Sequence, residues 1–108
     1  DVRVNNALLV NLENLTLTSG TQTVASASTG TYRAAFFDYV GVSGGNARAG
    51  TILSVWSGTT VEFTDTSTND IGTTTDLQLQ VVISGSNVLL QSLTTSGTWS
   101  VKTLIRML

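Results

Sequence analysis

The sequence predicts an all-β fold, an antiparallel β-sandwich or small jelly roll of about seven to nine strands. Segments in which apolar and polar residues alternate, such as Leu77–Ile83, recur along the chain and are typical of strands with one buried face. Turns rich in glycine and asparagine separate these segments at intervals of roughly ten residues, as in sandwiches. With 108 residues, we expect a single domain, with an N-terminal segment over 1–29 and the sandwich core over 30–108.

The stretch Gly30–Trp56 holds five of the seven aromatic residues and is predicted to form the central hairpin. Its first strand, Tyr32–Val42, is apolar or aromatic on both faces. We therefore expect it in the middle of a sheet, with one face in the core and the other in an interface. The turn spans Ser43–Asn46, because its glycine and asparagine residues accept the positive φ of tight hairpins. Phe36 is assigned to the core or to a contact between subunits.

The segment 1–29 contains three predicted elements. Asn6–Asn14 is compatible with a short helix, since alanine, leucine and glutamate favour one, or with a strand. Leu15–Leu17 is predicted to be a strand, because its leucines alternate with threonine. Gln22–Ser28 is small and polar and is predicted to be an edge strand, whose weakly apolar character discourages unwanted pairing.

The C-terminal half is predicted to add four strands. Thr60–Thr66 is expected to place Val61 and Phe63 inward, and a long irregular loop follows over Asp65–Asp76. The last three strands are joined by short glycine turns and are expected to be antiparallel neighbours. The closing strand, Trp99–Met107, is expected to direct alternate residues toward the core and away from it.

Charge is sparse and evenly spread. Charged residues make up 11% of the chain and the net charge is −2, against roughly 25% charged residues in typical soluble domains. The basic residues stand singly, so there is no basic cluster to bind nucleic acid. No apolar run approaches the ~20 residues of a membrane span, and no signal peptide is visible. We therefore expect neither a nucleic-acid partner nor membrane insertion.

Metal ions and cofactors are not expected. The chain has no cysteine, which removes disulfides and cysteine-based zinc or redox sites. Asp65, Asn69, Asp70 and Asp76 offer oxygen ligands for Ca²⁺, but their spacing does not match an EF-hand loop and a bidentate glutamate is missing. The favoured alternative is an ordinary loop in which aspartate and threonine side chains accept backbone N–H groups.

Catalytic residues are not expected either. Asp38 lies on an apolar face of its strand and is expected to pair with Arg33, Arg48 or an arginine of a neighbouring subunit, because a buried charge must be paired. Nothing in the spacing favours Asp38 and Glu62 as a glycosidase pair. A serine nucleophile would need a base, yet the chain has no histidine and Lys102 is not part of a Ser-x-x-Lys motif. The chain is therefore expected not to be an enzyme.

Four aromatic residues have rings that can stack on sugars: Tyr32, Tyr39, Trp56 and Trp99. Tryptophan and tyrosine in the middle of strands are more often core residues, and Trp99 is assigned to the core. For Tyr39 and Trp56 the sequence leaves core packing, ligand binding and subunit contact open.

Four blocks of the sequence resemble one family. They are Gly30–Val42, Asn46–Trp56, Glu62–Gly72 and Ser96–Arg106. Together they are similar to a C-terminal β-domain of tailed-bacteriophage virion proteins, especially tail-fibre and other fibre-like or tail-associated structural proteins. The resemblance rests on the whole pattern rather than on a short motif, and the segment before Gly30 has no clear counterpart.

The resemblance implies a non-enzymatic structural protein of the extracellular phage particle, of tail-fibre or receptor-binding type. Its partners would be itself, as a homotrimer, other virion proteins, and a host cell-surface glycan or protein. A capsid decoration or head-fibre protein and a carbohydrate-binding module are the alternatives. The second apolar faces of the central and closing strands favour self-association independently. The residues expected at the ligand or subunit contact are Arg33, Tyr39, Trp56, Leu104 and Arg106.

Overall fold

The computed structural model describes residues 2–108, which form nine β-strands and no helix. The strands are β1 (Val2–Val4), β2 (Ala7–Leu17), β3 (Gly20–Ser28), β4 (Ala34–Ser43), β5 (Asn46–Ser57), β6 (Thr60–Ser67), β7 (Leu77–Ser84), β8 (Asn87–Thr94) and β9 (Trp99–Met107). In this part of the chain there is accordingly no helix of the length and apolarity that a membrane crossing requires.

Two antiparallel sheets pack against each other. The larger sheet has six strands in the order β1-β2-β9-β4-β5-β6, and the smaller has three in the order β3-β8-β7. Apolar side chains from both sheets meet in one core. The predicted antiparallel β-sandwich of about seven to nine strands is therefore confirmed.

The helix considered for Asn6–Asn14 does not form, because β2 runs through this segment. β2 pairs with β9, with Leu8 opposite Met107, and both of these side chains are buried in the core. The period-two apolar pattern and this pairing have overridden the helix propensity of alanine, leucine and glutamate. Gln22–Ser28 lies in β3, at an edge of the smaller sheet as predicted.

The central hairpin consists of β4 and β5, and β4 lies between β9 and β5 as expected. Gly44 takes a φ of 58° in the connecting turn, a conformation that glycine adopts without a Cβ penalty. In β4 the side chain of Phe37 is only 1% exposed, whereas Phe36 lies on the opposite face and is half-buried. Phe36 is therefore not in the core. Aromatic rings on both faces left the alternation ambiguous, and the alternative of a subunit contact stays a prediction.

β9 is not a neighbour of β8. It lies between β2 and β4 in the larger sheet, and a turn containing Gly97, with a φ of 81°, carries the chain across from the smaller sheet. β8 already pairs with β3 and β7 and has no free edge for β9. The prediction of three consecutive neighbours is thus correct for β7 and β8 and wrong for β9. The alternation of β9 is as predicted, with Trp99 in the core.

β6 forms an edge of the larger sheet. Phe63 lies opposite the buried Ser54, on the core side as predicted, but remains 40% exposed. The smaller sheet has only three strands and does not cover this ring, whereas Val61 packs against the core. β6 extends to Ser67, so the irregular loop is shorter than predicted and begins at Thr68.

Candidate functional site

The face of the six-stranded sheet that is turned away from the smaller sheet, called the outer face below, is organised in rows across the strands. Residues directly opposite each other in antiparallel strands project to the same side. One row is Leu9, Arg106, Phe36, Leu53 and Thr64; the next is Asn11, Leu104, Asp38, Thr51 and Thr66. Leu108, Ala34, Val55 and Glu62 form a third row at the C-terminal end of β9.

Much of the outer face is apolar. Leu53 is 45% exposed, and Val40, Val55, Leu104 and Leu108 are exposed as well. A groove of about 460 Å³ runs between Phe36, Leu53, Val55 and the β6 residues beside them. The outer face of the smaller sheet is more polar, and there Gln80 Nε2 donates a hydrogen bond of 2.9 Å to Gln91 Oε1. The apolar surface is therefore concentrated on one side of the sandwich, as at protein–protein contacts.

Arg106 and Asp38 form an ion pair in the middle of this face. Arg106 Nε lies 3.4 Å from Asp38 Oδ2, and the guanidinium carbon lies 5.1 Å from the centroid of the Phe36 ring. Thr51 Oγ1 donates a hydrogen bond of 2.8 Å to Asp38 Oδ1. Asp38 thus has an arginine partner, but it is Arg106 of the same chain. Both side chains are nearly half exposed, so the pair adds little to stability.

The five residues expected at a ligand or subunit contact do not form one site. Leu104 and Arg106 lie on the outer face. Tyr39 and Trp56 are only 4% and 5% exposed and belong to the core, so their ring faces are not open to a sugar. Arg33 Nε donates a hydrogen bond of 3.2 Å to the Trp56 carbonyl oxygen, which fixes it at the end of the central hairpin.

A polar cluster that the sequence did not predict closes the side of the sandwich between β6 and β7. The Tyr39 hydroxyl donates to the Asp65 carboxylate at 2.9 and 3.1 Å and accepts a hydrogen bond of 3.0 Å from Arg48 Nε. The other guanidinium nitrogens of Arg48 donate to the carbonyl oxygens of Thr74 and Leu77, each at 3.0 Å. Arg48 therefore joins the larger sheet to the first residue of β7.

Gly50 makes room for this cluster. It lies opposite Tyr39 in the β4–β5 pairing, and a Cβ added to it would lie 2.9 Å from the Tyr39 hydroxyl oxygen and 2.6 Å from the Thr66 carbonyl oxygen. A glycine inside a long strand often marks such a close approach. This was the one sequence signal for the cluster, because nothing in the spacing of Tyr39, Arg48 and Asp65 indicates that their side chains meet.

The environment of Tyr39 raises its pKa above the ordinary value of 10.0. Burial is the main cause because it disfavours the phenolate, and the Asp65 carboxylate acts in the same direction. The hydrogen bond and positive charge of Arg48 oppose the increase without cancelling it. Tyr39 is therefore protonated at neutral pH, and its hydroxyl donates a hydrogen bond to the Asp65 carboxylate.

This raised pKa predicts a loss of stability in alkaline solution. The folded protein holds the Tyr39 proton more tightly than the unfolded chain does, so the contribution is fully present below the unfolded pKa of about 10. It declines as the pH rises through the higher folded pKa. Urea unfolding between pH 8 and 11 should show this decline, and Tyr39→Phe should make it shallower. Tyr32→Phe is the control, and equal slopes for both variants would contradict the prediction.

The acidic residues of the 65–76 segment are held by separate donors. Asp65 accepts from Tyr39, Asp70 Oδ2 from the Thr74 N–H at 3.3 Å, and Asp76 from the Thr95 hydroxyl at 2.7 Å. Within residues 2–108 no three acidic side chains are grouped closely enough to hold a metal ion. Only Asp70 accepts a backbone N–H from within the loop, whereas Asp65 and Asp76 accept from side-chain hydroxyls outside it. The absence of calcium binding stays a prediction.

Calcium should accordingly leave the melting temperature unchanged. The acidic side chains of the described residues are not grouped around one point, so we expect no calcium binding that would stabilise the folded state. Thermal melts with and without millimolar Ca²⁺ test this. A saturable increase that is abolished by EDTA and by Asp70→Ala would contradict it.

Comparison with known proteins gives a fold likeness to a phage protein. No protein-family model matches the sequence, and no curated protein matches it either. Among solved structures, the tailspike protein of Acinetobacter phage vB_ApiP_P1 matches over 95% of this chain, with a TM-score of 0.54 and 17% sequence identity. The chain spans 23% of that tailspike chain. At this identity the match establishes a shared fold, one that occurs in a phage tail protein.

Proposed function

We propose that this chain is a non-enzymatic structural domain of a tailed-phage virion, of tail-fibre or receptor-binding type, which assembles with itself and serves attachment to the host. The observation that carries the proposal is the fold likeness to a segment of a tailspike protein over 95% of the chain. It agrees with the resemblance of the sequence to C-terminal β-domains of phage fibre proteins.

The outer face of the six-stranded sheet supports self-association. Leu53, Val55, Leu104 and Leu108 are exposed on it without a covering element, and the charge content of 11% offers little repulsion between copies. We expect a homotrimer, and native mass spectrometry of the purified chain at micromolar concentration tests this. A monomer at every concentration would overturn the oligomeric part of the proposal.

The absence of catalysis is also part of the proposal. The chain has no histidine, and the carboxylates of Asp38 and Asp65 are already engaged by Arg106 and Tyr39. General acid–base chemistry needs a group that can reach a substrate and exchange a proton with it. We expect host surface polysaccharide to keep its size distribution after incubation with the chain. Shortened polysaccharide, absent from a buffer control, would contradict this.

The position of the chain in the particle tests the rest of the proposal. Antibodies against the chain should label the tail in electron micrographs of intact phage, and the purified chain should bind host cells and compete with phage adsorption. Label on the capsid would favour the capsid decoration or head-fibre alternative. Specific binding to a glycan array by a monomer would favour the carbohydrate-binding module.

A further inference from the structure

We infer that copies of this chain contact one another through one corner of the outer face, with Arg106 of one copy beside Glu62 of the next. The corner is defined by Ala34, Phe36, Leu53, Val55 and Leu108. This inference rests on the proposed function, since it names the surface through which the proposed oligomer assembles.

The corner is an apolar patch between two opposite charges. Phe36 and Leu53 are adjacent in one row, and Ala34 and Val55 are adjacent in the next. Arg106 on β9 lies at one side of the patch, opposite Phe36, and Glu62 on β6 lies at the other side, opposite Val55. Arg106 thus marks the β9 side of the corner and Glu62 the β6 side.

This arrangement is complementary to itself. We place the axis of a closed ring parallel to the strands, so that the β9 side of one copy faces the β5–β6 side of the next. Such a contact packs the apolar patches together and leaves Arg106 and Glu62 of the neighbouring copy one row, or about 7 Å, apart along the strands, a separation that the long arginine side chain spans. The same relation holds in a trimer and in a dimer built around such an axis. Charge complementarity of this kind fixes the register of an interface and disfavours other partners.

Glu62 is available for the contact. It is exposed, and within residues 2–108 it forms no ion pair. Arg106 already pairs with Asp38, but both side chains are nearly half exposed, and a guanidinium has donors enough for two carboxylates. A second copy therefore supplies what the corner lacks: an apolar cover and a partner for Glu62.

Matched substitutions test the surface. Leu53→Glu places a charge in the patch and should convert the oligomer to monomers, as measured by light scattering. Leu93→Glu is the control, because Leu93 is 38% exposed but lies on the smaller sheet, and it should leave the mass unchanged. Circular dichroism of both variants verifies folding. An oligomer that survives Leu53→Glu would overturn the inference.

A charge reversal tests the ion pair. Glu62→Arg should weaken association by about tenfold or more, because it places two cations together, and Arg106→Glu should weaken it as well. The double variant should recover most of the affinity, since the two charges are exchanged. All of these variants are made and compared in an Asp38→Asn background, so that the new carboxylate at position 106 does not lie beside Asp38. No recovery, together with a folded double variant, would overturn the Arg106–Glu62 contact.

Cysteine cross-linking is independent of any loss of stability. The chain has no cysteine, so each single-cysteine variant can be linked only to another copy. A mixture of Glu62→Cys and Arg106→Cys should yield covalent dimers with a short bismaleimide cross-linker, which spans more than the ~7 Å that a disulfide allows, and Leu93→Cys mixed with either should not. If the wild type is oligomeric but no covalent dimer forms, the inferred surface is wrong and the proposed oligomer stands. A monomeric wild type would overturn the oligomer in the proposed function as well.

Discussion

Phe37→Ala should lower the free energy of unfolding by about 3–5 kcal/mol, the range for truncating a large buried aromatic ring. Phe37 is 1% exposed and lies in the middle of β4, in the row between Ile105 and Ile52. Removing its ring leaves a cavity that two paired strands on either side cannot readily fill. Urea denaturation followed by tryptophan fluorescence measures the loss.

Phe36→Ala is the matched control for this prediction. At concentrations low enough for the chain to be monomeric, the same change one residue earlier acts on a half-buried ring of the outer face and should cost only about 1–2 kcal/mol, since less apolar area returns to water. It also removes the ring beneath the Arg106 guanidinium. Equal losses for the two variants at those concentrations would contradict the prediction, whereas a loss for Phe36→Ala that grows with protein concentration is the result expected from the inferred subunit contact.

The Phe36–Phe37 pair shows that the apolar pattern predicts the strand but not which of its faces is buried. The strand itself, its turn and its central position follow from alternating apolar residues and from the residues of Ser43–Asn46. Which face is buried does not follow, because both faces are apolar. Which face of β4 is buried depends on where the smaller sheet packs. Gly41 lies on the Phe37 face, and a Cβ added to it would clash with the side chain of Leu77 in the smaller sheet.

The pairing of β9 with strands distant in the sequence could not be predicted either. Short turns predict hairpins well, because the two strands of a hairpin are close in sequence. β9 pairs with β2 and β4 across about 90 and 65 residues, respectively, and nothing in its own alternation identifies these partners. The candidate contact residues do not form one site for the same reason. The alternation of β9 correctly placed Leu104 and Arg106 on the outer face. Tyr39 and Trp56 are buried by residues that are distant in the sequence, and their burial could not be predicted.

Arg48→Met should lower the free energy of unfolding by about 2–4 kcal/mol, a large effect for one polar side chain. Methionine keeps much of the aliphatic stem of arginine but none of its hydrogen bonds. The carbonyl oxygens of Thr74 and Leu77 would lose their guanidinium donors, and the Tyr39 hydroxyl would lose Arg48 Nε. Arg48→Lys should fall between wild type and Arg48→Met, since an ammonium lacks the planar fork that reaches several acceptors at once.

Two measurements separate this role from a general loss of stability. Arg33→Met is the control, because Arg33 donates through its side chain to the Trp56 carbonyl oxygen, and this variant should lose only about 1 kcal/mol. Amide hydrogen exchange should become faster at Ile71 and Thr74, whose N–H groups bond to Ala47 and Asp70 in the segment that Arg48 anchors, than in the β4–β9 pairing. Uniformly faster exchange along the chain, or a loss no greater than that of Arg33→Met, would show that Arg48 does not hold this segment between the two sheets.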